Sequence, residues 1–535
     1  MSLRPVESSV TYGRVPANWN LKTAKLFRAV KHGGFKTVKS LVDKEPQLTQ
    51  AADSLGNTLL HWSSRWNSLE TLIYLRNLKI NSDILNFFGQ KPIHVACSHR
   101  SFETTLVLLQ AVGDVSSVDS ELCTPLHYAS KAGDAESALI LLLNEADATA
   151  LDFHQCTPLH FAASSGNANL CSLLLRFYPP AFSLQDERGN TPLHLSCCKG
   201  KSATALAMLH GIFASSIGFR VGTGCQNLEF FMHPHAIFLD VRNNEGNRAE
   251  DMATRSGHYE LAEIVRYYKH KYHAGRDSTS ERSLVPFHIR NFLLGSPGRR
   301  RVLFTYMLMV SFGWMYPYLW FRVRNTVVRL SPQQEIIFFL VNCILWVCFF
   351  KEYVTDPGYL PQNTIEYEGS MQEIFLESRE LAAAPFPSAE DRDGKPQLCP
   401  LALGAFKRRA RSLRQKAQRL CHTCGCVKPL RAKHCGQCNR CVDVMDHHCP
   451  VTNNCVGKNN RVWFLLTGIF VLISSSVTGY LAFMAWYWSP KTWFCDIFTW
   501  ILLFSGWTSA LNASVGTSSS STRPPYLSYL GPSST

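Results

Sequence analysis

A six-residue motif recurs through the first half of the chain at almost constant spacing. The clearest copy, Thr124-Pro125-Leu126-His127-Tyr128-Ala129, returns from Thr157 and from Thr191, and weaker copies begin at Thr58 and Lys91. Neighbouring copies start 33, 33, 33 and 34 residues apart. A fixed period of this length indicates stacked units, each of which buries its apolar face against its neighbours. The first half is therefore predicted to be a helical solenoid.

The motif and its period resemble the ankyrin repeat. The resemblance implies helix pairs in which Pro begins the first helix, while Thr and His link neighbouring turns by hydrogen bonds. We expect a tail over residues 1–20 and six to seven repeats over 21–272, with an insertion near 211–240 where the spacing breaks. Such an array has no chemistry of its own, and its expected role is to bind protein segments on its concave face.

Apolar stretches dominate the second half of the chain and are long enough to cross a bilayer. Transmembrane helices are predicted at 302–321, 335–354 and 462–488, with a possible fourth at 497–512. A linker, 273–301, precedes them, and a disordered tail rich in Ser, Thr and Pro follows over 513–535. Helices buried in a soluble domain are the alternative. Because Met1 to Lys25 is too polar for a secretory signal, we expect the repeats in the cytosol.

Basic residues are concentrated in one region. The chain carries a net charge of +14, and Lys395 to Arg440 contains twelve Lys and Arg but no Asp or Glu. This run begins in a predicted cytosolic linker, 355–418, between apolar segments. Such a position favours contact with an anionic membrane face. A solvated basic linker is the alternative.

Eight of the 19 cysteines lie between Cys421 and Cys455, with four histidines among them. A dense cluster of this kind is typical of metal binding rather than of a secreted disulfide framework. Three pairs of cysteines with two residues between them, together with His434 and His448, provide donors for two tetrahedral zinc ions. The predicted zinc domain, 419–461, is too short to bury a core, so metal must supply its folding energy.

The segment resembles the DHHC cysteine-rich domain of protein palmitoyltransferases because it contains Asp446-His447-His448-Cys449 at the matching offset. Asp356-Pro357-Gly358 matches the D-P-G motif of that family, and the run from Asn454 to Asn460 matches its N-C-x-G-x-x-N motif. Combined with the repeats, the chain resembles the ankyrin-containing, huntingtin-interacting subfamily. A mainly α fold is implied: an ankyrin solenoid, then a polytopic helical membrane domain with a cytosolic two-zinc domain.

The resemblance assigns a role to each matching residue. It gives one zinc to Cys421, Cys424, His434 and Cys441, and the other to Cys435, Cys438, His448 and Cys455. Cys449 is then the nucleophile that accepts an acyl group from palmitoyl-CoA, His447 takes its proton, and Asp446 fixes the tautomer of that histidine. A third zinc site or a structural role is the alternative for these three. Cys426 matches no ligand position and is expected to be a bystander thiol.

Lys428, Arg431 and Lys433 are candidates to face the phosphates of coenzyme A, with a solvated surface as an equal alternative. The implied function is a protein S-palmitoyltransferase of endomembranes, Golgi in the first place, with the endoplasmic reticulum or plasma membrane also open. Its clients would be cysteine-containing proteins recruited by the repeats. The alternative is a catalytically weak membrane-anchored ankyrin adaptor, which the lack of a T-T-x-E motif favours, whereas the intact set of Asp446, His447 and Cys449 favours the enzyme. Val451 stands where the family usually has a Trp near the acyl chain. Nucleic-acid binding is disfavoured by the flanking apolar segments.

Overall fold

The structure is a computed structural model that describes residues 21–112, 115–214, 239–273, 331–383, 388–390, 396–398, 400–449, 452 and 454–488. The chain divides into two compact units, described separately below. The first unit comprises Met1–Leu303 and Tyr353–Arg461, and the second comprises Phe304–Glu352 and Val462–Thr535. The predicted helices at 302–321 and 497–512, both predicted tails and most of the predicted insertion lie outside the described residues.

Seven helix pairs form the array within the described part of residues 21–273. They are α1 Leu21–Lys31 and α2 Phe35–Lys44, α3 Leu59–Arg65 and α4 Leu69–Asn77, α5 Pro92–Ser98 and α6 Phe102–Val112, α7 Pro125–Ala132 and α8 Ala135–Leu143, α9 Pro158–Ser165 and α10 Ala168–Phe177, α11 Pro192–Cys198 and α12 Ser202–Ala214, and α13 Ala249–Arg255 and α14 Tyr259–His273. Short 3-10 turns lie at Pro46–Gln50 and Pro179–Ser183. The predicted ankyrin architecture is therefore present.

The repeated histidine joins one repeat to the next. In α7, the backbone N–H of Thr124 donates to Nδ1 of His127 at 3.1 Å, so Nδ1 is an acceptor and Nε2 carries the proton. Nε2 then donates to the carbonyl of Cys156 in the following repeat at 3.1 Å. The same link recurs from His61, His94, His160 and His194. These links explain why the motif keeps its period.

Hairpin-like fingers connect the repeats and stack through backbone hydrogen bonds. The N–H of Phe153 donates to the carbonyl of Glu121 at 2.8 Å, and similar bonds join the other fingers. The stack continues across the predicted insertion, because the N–H of Asn244 donates to the carbonyl of Arg188 at 3.0 Å and His194 reaches the carbonyl of Asn247. The repeats on either side of residues 215–238 are therefore direct neighbours.

Two further helices pack on the second helices of the repeats. They are α16 Ile365–Ala383 and α17 Pro400–Arg419, and a small hairpin, β1 Ser388–Glu390 with β2 Pro396–Leu398, lies between them in sequence. Both helices contact α6 and α8. Their buried residues recur every three to four positions, which makes one apolar stripe on each helix. These are Tyr367, Met371, Ile374, Ser378 and Leu381 in α16, and Phe406, Ala410, Leu413 and Ala417 in α17.

The stretch that the sequence assigns to a basic linker is therefore folded over much of its length. Its charges are also partly paired. Nζ of Lys407 lies 2.8 Å from Oε1 of Glu70 in α4, and Nζ of Lys416 lies 2.8 Å from Oε1 of Glu373 in α16. Arg414 lies 3.8 Å from Glu103, and its guanidinium stands over the ring of Phe102. Part of the basic run thus contacts the array and α16.

The second unit contains most of two long apolar helices, α15 Pro332–Val354 and α18 Arg461–Trp488. Within the described residues, α15 alone has both the length and the mean hydropathy, 1.8, of a candidate membrane span, and it covers the predicted segment 335–354. Large apolar side chains of α15 such as Phe339 and Phe350 are exposed. Within α18, the stretch Arg461–Ser474 is apolar but shorter than a membrane span requires. The polytopic membrane domain stays a prediction.

Candidate metal centres and active site

Three small antiparallel hairpins follow α17. They pair β3 Leu420–Cys421 with β4 Cys426–Val427, β5 Lys433–Cys435 with β6 Arg440–Val442, and β7 His447–Cys449 with β8 Asn454–Val456. In the second hairpin His434 lies opposite Cys441, and in the third His448 lies opposite Cys455. Each histidine therefore meets a cysteine across its own hairpin, and the paired cysteines of the turns complete each set.

The first group consists of Cys421, Cys424, His434 and Cys441. Nδ1 of His434 lies 3.5 Å from Sγ of Cys421, 3.3 Å from Sγ of Cys424 and 3.8 Å from Sγ of Cys441. All four possible donor atoms lie within 4.8 Å of one another. Three of the four residues are buried, so the donors converge on one point away from solvent.

The second group repeats this arrangement with Cys435, Cys438, His448 and Cys455. Nδ1 of His448 lies 3.6, 3.3 and 3.7 Å from the sulfur atoms of Cys435, Cys438 and Cys455. The N–H of Cys438 also donates to Sγ of Cys435 at 3.3 Å. The two groups interlock along the chain, because Cys435 of the second group follows directly after His434 of the first.

Both groups fit a tetrahedral zinc ion. Zinc with bonds of about 2.3 Å to sulfur and about 2.0 Å to nitrogen separates its ligand atoms by roughly 3.5 Å, which matches the distances above. Without the charge of a metal ion, the thiols of each group compete for protons. Hydrogen bonding among the cysteines lowers the pKa of Cys421 and of Cys435 and raises that of Cys441 and of Cys455. The eight residues are those that the resemblance assigns to two zincs.

The register of the third hairpin divides the tetrad. Successive residues of a strand point to opposite faces, so His448 faces the metal group while His447 and Cys449 share the other face. Cys449 lies opposite Asn454 and is 6% exposed. Nδ1 of His447 lies 3.3 Å from Oδ2 of Asp446. The strand thus keeps Cys449 out of the donor set and places it beside a histidine that contacts a carboxylate.

Comparison with known families agrees with this geometry. Residues 414–520 match the family described as DHHC palmitoyltransferase, and residues 26–76, 77–152 and 126–216 match ankyrin repeat families. The chain carries ankyrin repeats and a DHHC domain. Its DHHC domain therefore contains two candidate zinc sites, built from all three hairpins, and the tetrad, which lies at the third hairpin.

Curated relatives match this DHHC domain and its surroundings. Palmitoyltransferase ZDHHC3 of Homo sapiens is 49% identical over 156 residues, which is 28% of this chain and 40% of the relative. Palmitoyltransferase ZDHHC7 of Mus musculus is 30% identical over 158 residues, 28% of this chain and 39% of the relative. Palmitoyltransferase ZDHHC9 of Homo sapiens is 28% identical over 183 residues, 34% and 46% of the two chains. The chain thus spans less than half the length of these relatives.

The D-P-G motif adds an extended segment to the DHHC domain. Oδ1 of Asp356 accepts hydrogen bonds from the N–H groups of Gly358 and Tyr359, both at 2.8 Å. The carbonyl of Gly358 then accepts from the N–H of Asp443 at 2.8 Å, and the N–H of Leu360 donates to the carbonyl of Cys441 at 2.9 Å. The motif therefore holds the chain after α15 against β6, beside a ligand of the first zinc group.

The N-C-x-G-x-x-N motif fixes the third hairpin. The side chain of Asn460, which is fully buried, accepts from the N–H of Gly457 and donates to the carbonyl of Cys455, both at 2.8 Å. Gly457 has no room for a side chain, because a Cβ there would collide with the carbonyl oxygen of Pro357. Asn454, opposite Cys449, donates to the carbonyls of Tyr353 and Thr355 at 3.3 Å. These residues position the strand that carries the tetrad.

The candidate coenzyme A residues lie on the connection between β4 and β5 and at its end. Arg431 and Lys433 are exposed and Lys428 is half-buried. Arg431 adopts a left-handed backbone conformation, with φ of 70°. The positions suit either contact with phosphates or a solvated surface, so their proposed role stays a prediction.

Sequence reasoning missed a second set of DHHC-domain contacts. His422 is 1% exposed, and its backbone is hydrogen-bonded to Asn169 and Arg176 of the array. In the sequence, Asn169, Ser172 and Arg176 stand at positions i, i+3 and i+7, which share one face of a helix. That spacing indicates a polar helix face but not what the face contacts. Cys426, expected to be a bystander, lies opposite Cys421 across the first hairpin but outside the four-donor group.

Proposed function

We propose that this chain is a membrane-bound protein S-acyltransferase that uses long-chain acyl-CoA, with palmitoyl-CoA as the expected donor. The observation that carries the proposal is the alternation along β7, which puts His448 with the metal donors and leaves Cys449 outside them. A cysteine that is not a ligand, beside a histidine and a carboxylate, is suited to nucleophilic catalysis. The match to the DHHC palmitoyltransferase family supports the same reaction.

The reaction takes place in two transfers. The thiolate of Cys449 attacks the thioester carbonyl of acyl-CoA, a new thioester forms on Cys449, and the thiol of coenzyme A leaves. The thiolate of a client cysteine then attacks that carbonyl, forms its own thioester and releases Cys449. His447 takes the proton of the attacking thiol and returns one to the leaving sulfur, while Asp446 holds the ring in the required tautomer.

Zinc supplies no chemistry to these steps in the proposal. The two zinc ions, held by the eight residues described above, would provide the folding energy of the three hairpins. Lys428, Arg431 and Lys433 would face the phosphates of coenzyme A, since ammonium and guanidinium groups on a largely exposed connection suit that role. The chain would be anchored in an endomembrane, Golgi in the first place, with the repeats and the DHHC domain in the cytosol.

The array would recruit the client. Its second helices are partly covered by α16, α17 and the first zinc group, whereas its fingers are open and carry apolar side chains. Leu55, Phe88, Leu122 and Phe153, one on each of four successive fingers, are 45, 52, 47 and 70% exposed. A row of this kind suits an extended protein segment with apolar side chains. The concave and finger side is therefore the proposed client surface.

Labelling with an acyl-CoA analogue tests the proposed activity. The purified full-length protein should take up label that hydroxylamine removes, because that reagent cleaves thioesters. Cys449→Ser should abolish the uptake, while Cys156→Ser, a half-buried thiol of an array finger, should leave it unchanged. Equal labelling of the Cys449→Ser protein and wild type would exclude the mechanism. No labelling of a wild type that holds two zincs would favour the ankyrin adaptor instead.

Client recruitment needs a separate readout. Phe153→Ser should leave self-acylation intact and lower the number of proteins acylated in cells that express the variant, measured by acyl exchange and mass spectrometry. Lys199→Ser, a change on the same array away from the finger row, is the matched control. If the Phe153 variant acylates the same proteins to the same extent as the control, the finger row does not recruit clients.

A further inference from the structure

The turn between the first two zinc ligands is bound by the ankyrin array. Residues His422 and Thr423 separate Cys421 from Cys424, and both are held by α10. The N–H of His422 donates to Oδ1 of Asn169 at 2.7 Å. The carbonyl of His422 accepts from Nε of Arg176 at 2.6 Å. Oγ of Ser172 and Oγ1 of Thr423 lie 3.0 Å apart.

Arg176 also contacts one residue before α16 and one residue within it. Its Nη2 donates to Oδ1 of Asn363 at 3.0 Å, and its guanidinium lies 5.1 Å from the ring centre of Tyr367. Asn363 in turn donates through its N–H to the carbonyl of Cys424 at 2.9 Å. One arginine of the array therefore contacts the zinc turn directly and also through a second residue.

The turn is closed from the other side as well. The hydroxyl of Tyr367, itself 1% exposed, lies 2.6 Å from Nδ1 of His422. Gly425, after the second ligand, has φ of 62°, and a Cβ there would lie 2.6 Å from Nη2 of Arg176, so a larger residue would be strained and would displace the arginine. Of the two residues between the ligands, His422 is thus buried and Thr423 is half-buried against protein.

Groups that hydrogen-bond to metal ligands orient those ligands and strengthen metal binding, and their loss typically costs ten- to a hundredfold in affinity. Asn169, Ser172 and Arg176 act one residue further out, because they bond to His422 and Thr423, which lie between Cys421 and Cys424. We propose that these three residues of the ankyrin array are an outer shell of the first zinc site and slow the loss of its metal. The inference rests on the proposed zinc ligand set, and it makes the array a positioning element of the DHHC domain.

Zinc release from the full-length protein in detergent tests the inference. Wild type, Arg176→Ala and Asn169→Ala are mixed with a chromogenic chelator, and the release of each equivalent of zinc is followed over time. In Arg176→Ala one of the two equivalents should leave about tenfold faster while the other keeps its rate, because Arg176 contacts the turn of the first site. Asn169→Ala, a milder change that leaves the Tyr367 contact, should accelerate the same equivalent by a smaller factor.

Arg188→Ala is the matched control, an exposed arginine on a finger of the same array, and it should release zinc as wild type does. Hydrogen exchange of α9 and α11 identifies any general loosening of the array. Release at the wild-type rate from both Arg176→Ala and Asn169→Ala would overturn the inference. A wild type that holds well under two zincs would overturn the ligand assignment itself and the inference with it.

Discussion

The array and the DHHC domain are stabilised in different ways. In the array, equivalent leucines of successive repeats, Leu126, Leu159 and Leu193, are at most 1% exposed and form part of one large apolar core. In the DHHC domain, the buried clusters consist mainly of the ligand cysteines, with Val442 among them. Apolar burial stabilises the first region, whereas the second has almost no side chains to bury besides its metal donors.

The two regions also use histidine in opposite ways. In the array, Nδ1 accepts a backbone N–H and Nε2 donates to the next repeat, so each ring is neutral and structural. Burial lowers the pKa of His61 and of His94 to about 4. In the DHHC domain, Nδ1 of His434 and of His448 faces three sulfur atoms. The same side chain therefore links repeats in one region and is placed to bind metal in the other.

Removal of metal should separate the two regions most sharply. A strong chelator that takes both zincs should abolish acyl uptake, because each structural zinc supplies roughly 10 kcal/mol of folding free energy to such small segments. Hydrogen exchange should rise throughout the three hairpins and stay low in α3 and α5, which lie three and two repeats before the repeat that contains α10. Restored uptake after zinc is added back is the control. Full activity of the metal-free protein would refute the structural role of zinc.

Acid should destabilise the array through its buried, neutral histidines. The pKa of His61 and of His94 is lower in the folded array than the usual 6.5, so their contribution to stability is present above pH 6.5. It is lost as the pH falls toward 4, because the unfolded chain then binds more protons. At pH 4.5 each of these two histidines should lower the free energy of unfolding of the array by about 2.5 kcal/mol.

Hydrogen exchange of the peptides that contain α3 and α5, measured between pH 7 and 4.5 and corrected for intrinsic rates, gives this loss. His32→Gln, a change at an exposed histidine of the same array, should leave the profile unchanged. An array equally protected at both ends of the pH range would contradict the neutral, buried state of these rings.

A cavity in the array core should weaken the array and leave the metal in place. Leu59→Ala should lower the unfolding free energy of the array by about 2–5 kcal/mol, because the leucine is buried in the array core and lies three repeats before α10. Local stability is again read by hydrogen exchange. Zinc content should stay at the wild-type value, and Leu151→Ala, at a half-exposed finger position, should have little effect. Loss of zinc from the Leu59 variant would show that the two regions fold as one.

A polar anchor in the DHHC domain should have a smaller effect. Asn460→Ala removes two buried hydrogen bonds to the third hairpin, which should cost about 1–3 kcal/mol locally and reduce the rate of acyl uptake. Asn459→Ala, an exposed neighbour of the same type, is the control. If both variants acylate at the wild-type rate, the anchor does not position the tetrad.

Much of this architecture could be predicted from short patterns in the sequence. The period of 33 residues predicts the helix pairs because each repeat contacts mainly its neighbours. The spacing of Cys and His predicts donors for two zinc ions because zinc accepts few ligand types and one geometry, and the resemblance divides these donors into two sets. The basic charge of residues 355–418 predicts a linker, but Phe406, Ala410 and Leu413 recur at helical spacing. That spacing is a helical apolar stripe, and it marks the buried face of α17.

The sequence by itself determined the repeats, the metal-binding character of the cysteine cluster and the tetrad, because all three are encoded over short distances along the chain. Tertiary structure decided what those parts contact. Asn169 and Arg176 lie more than 240 residues before His422, and nothing local marks them as neighbours. Packing of α16 and α17 against α6 and α8 brings the zinc turn to α10. Only that packing shows that the array contacts the turn between two ligands of the first metal site.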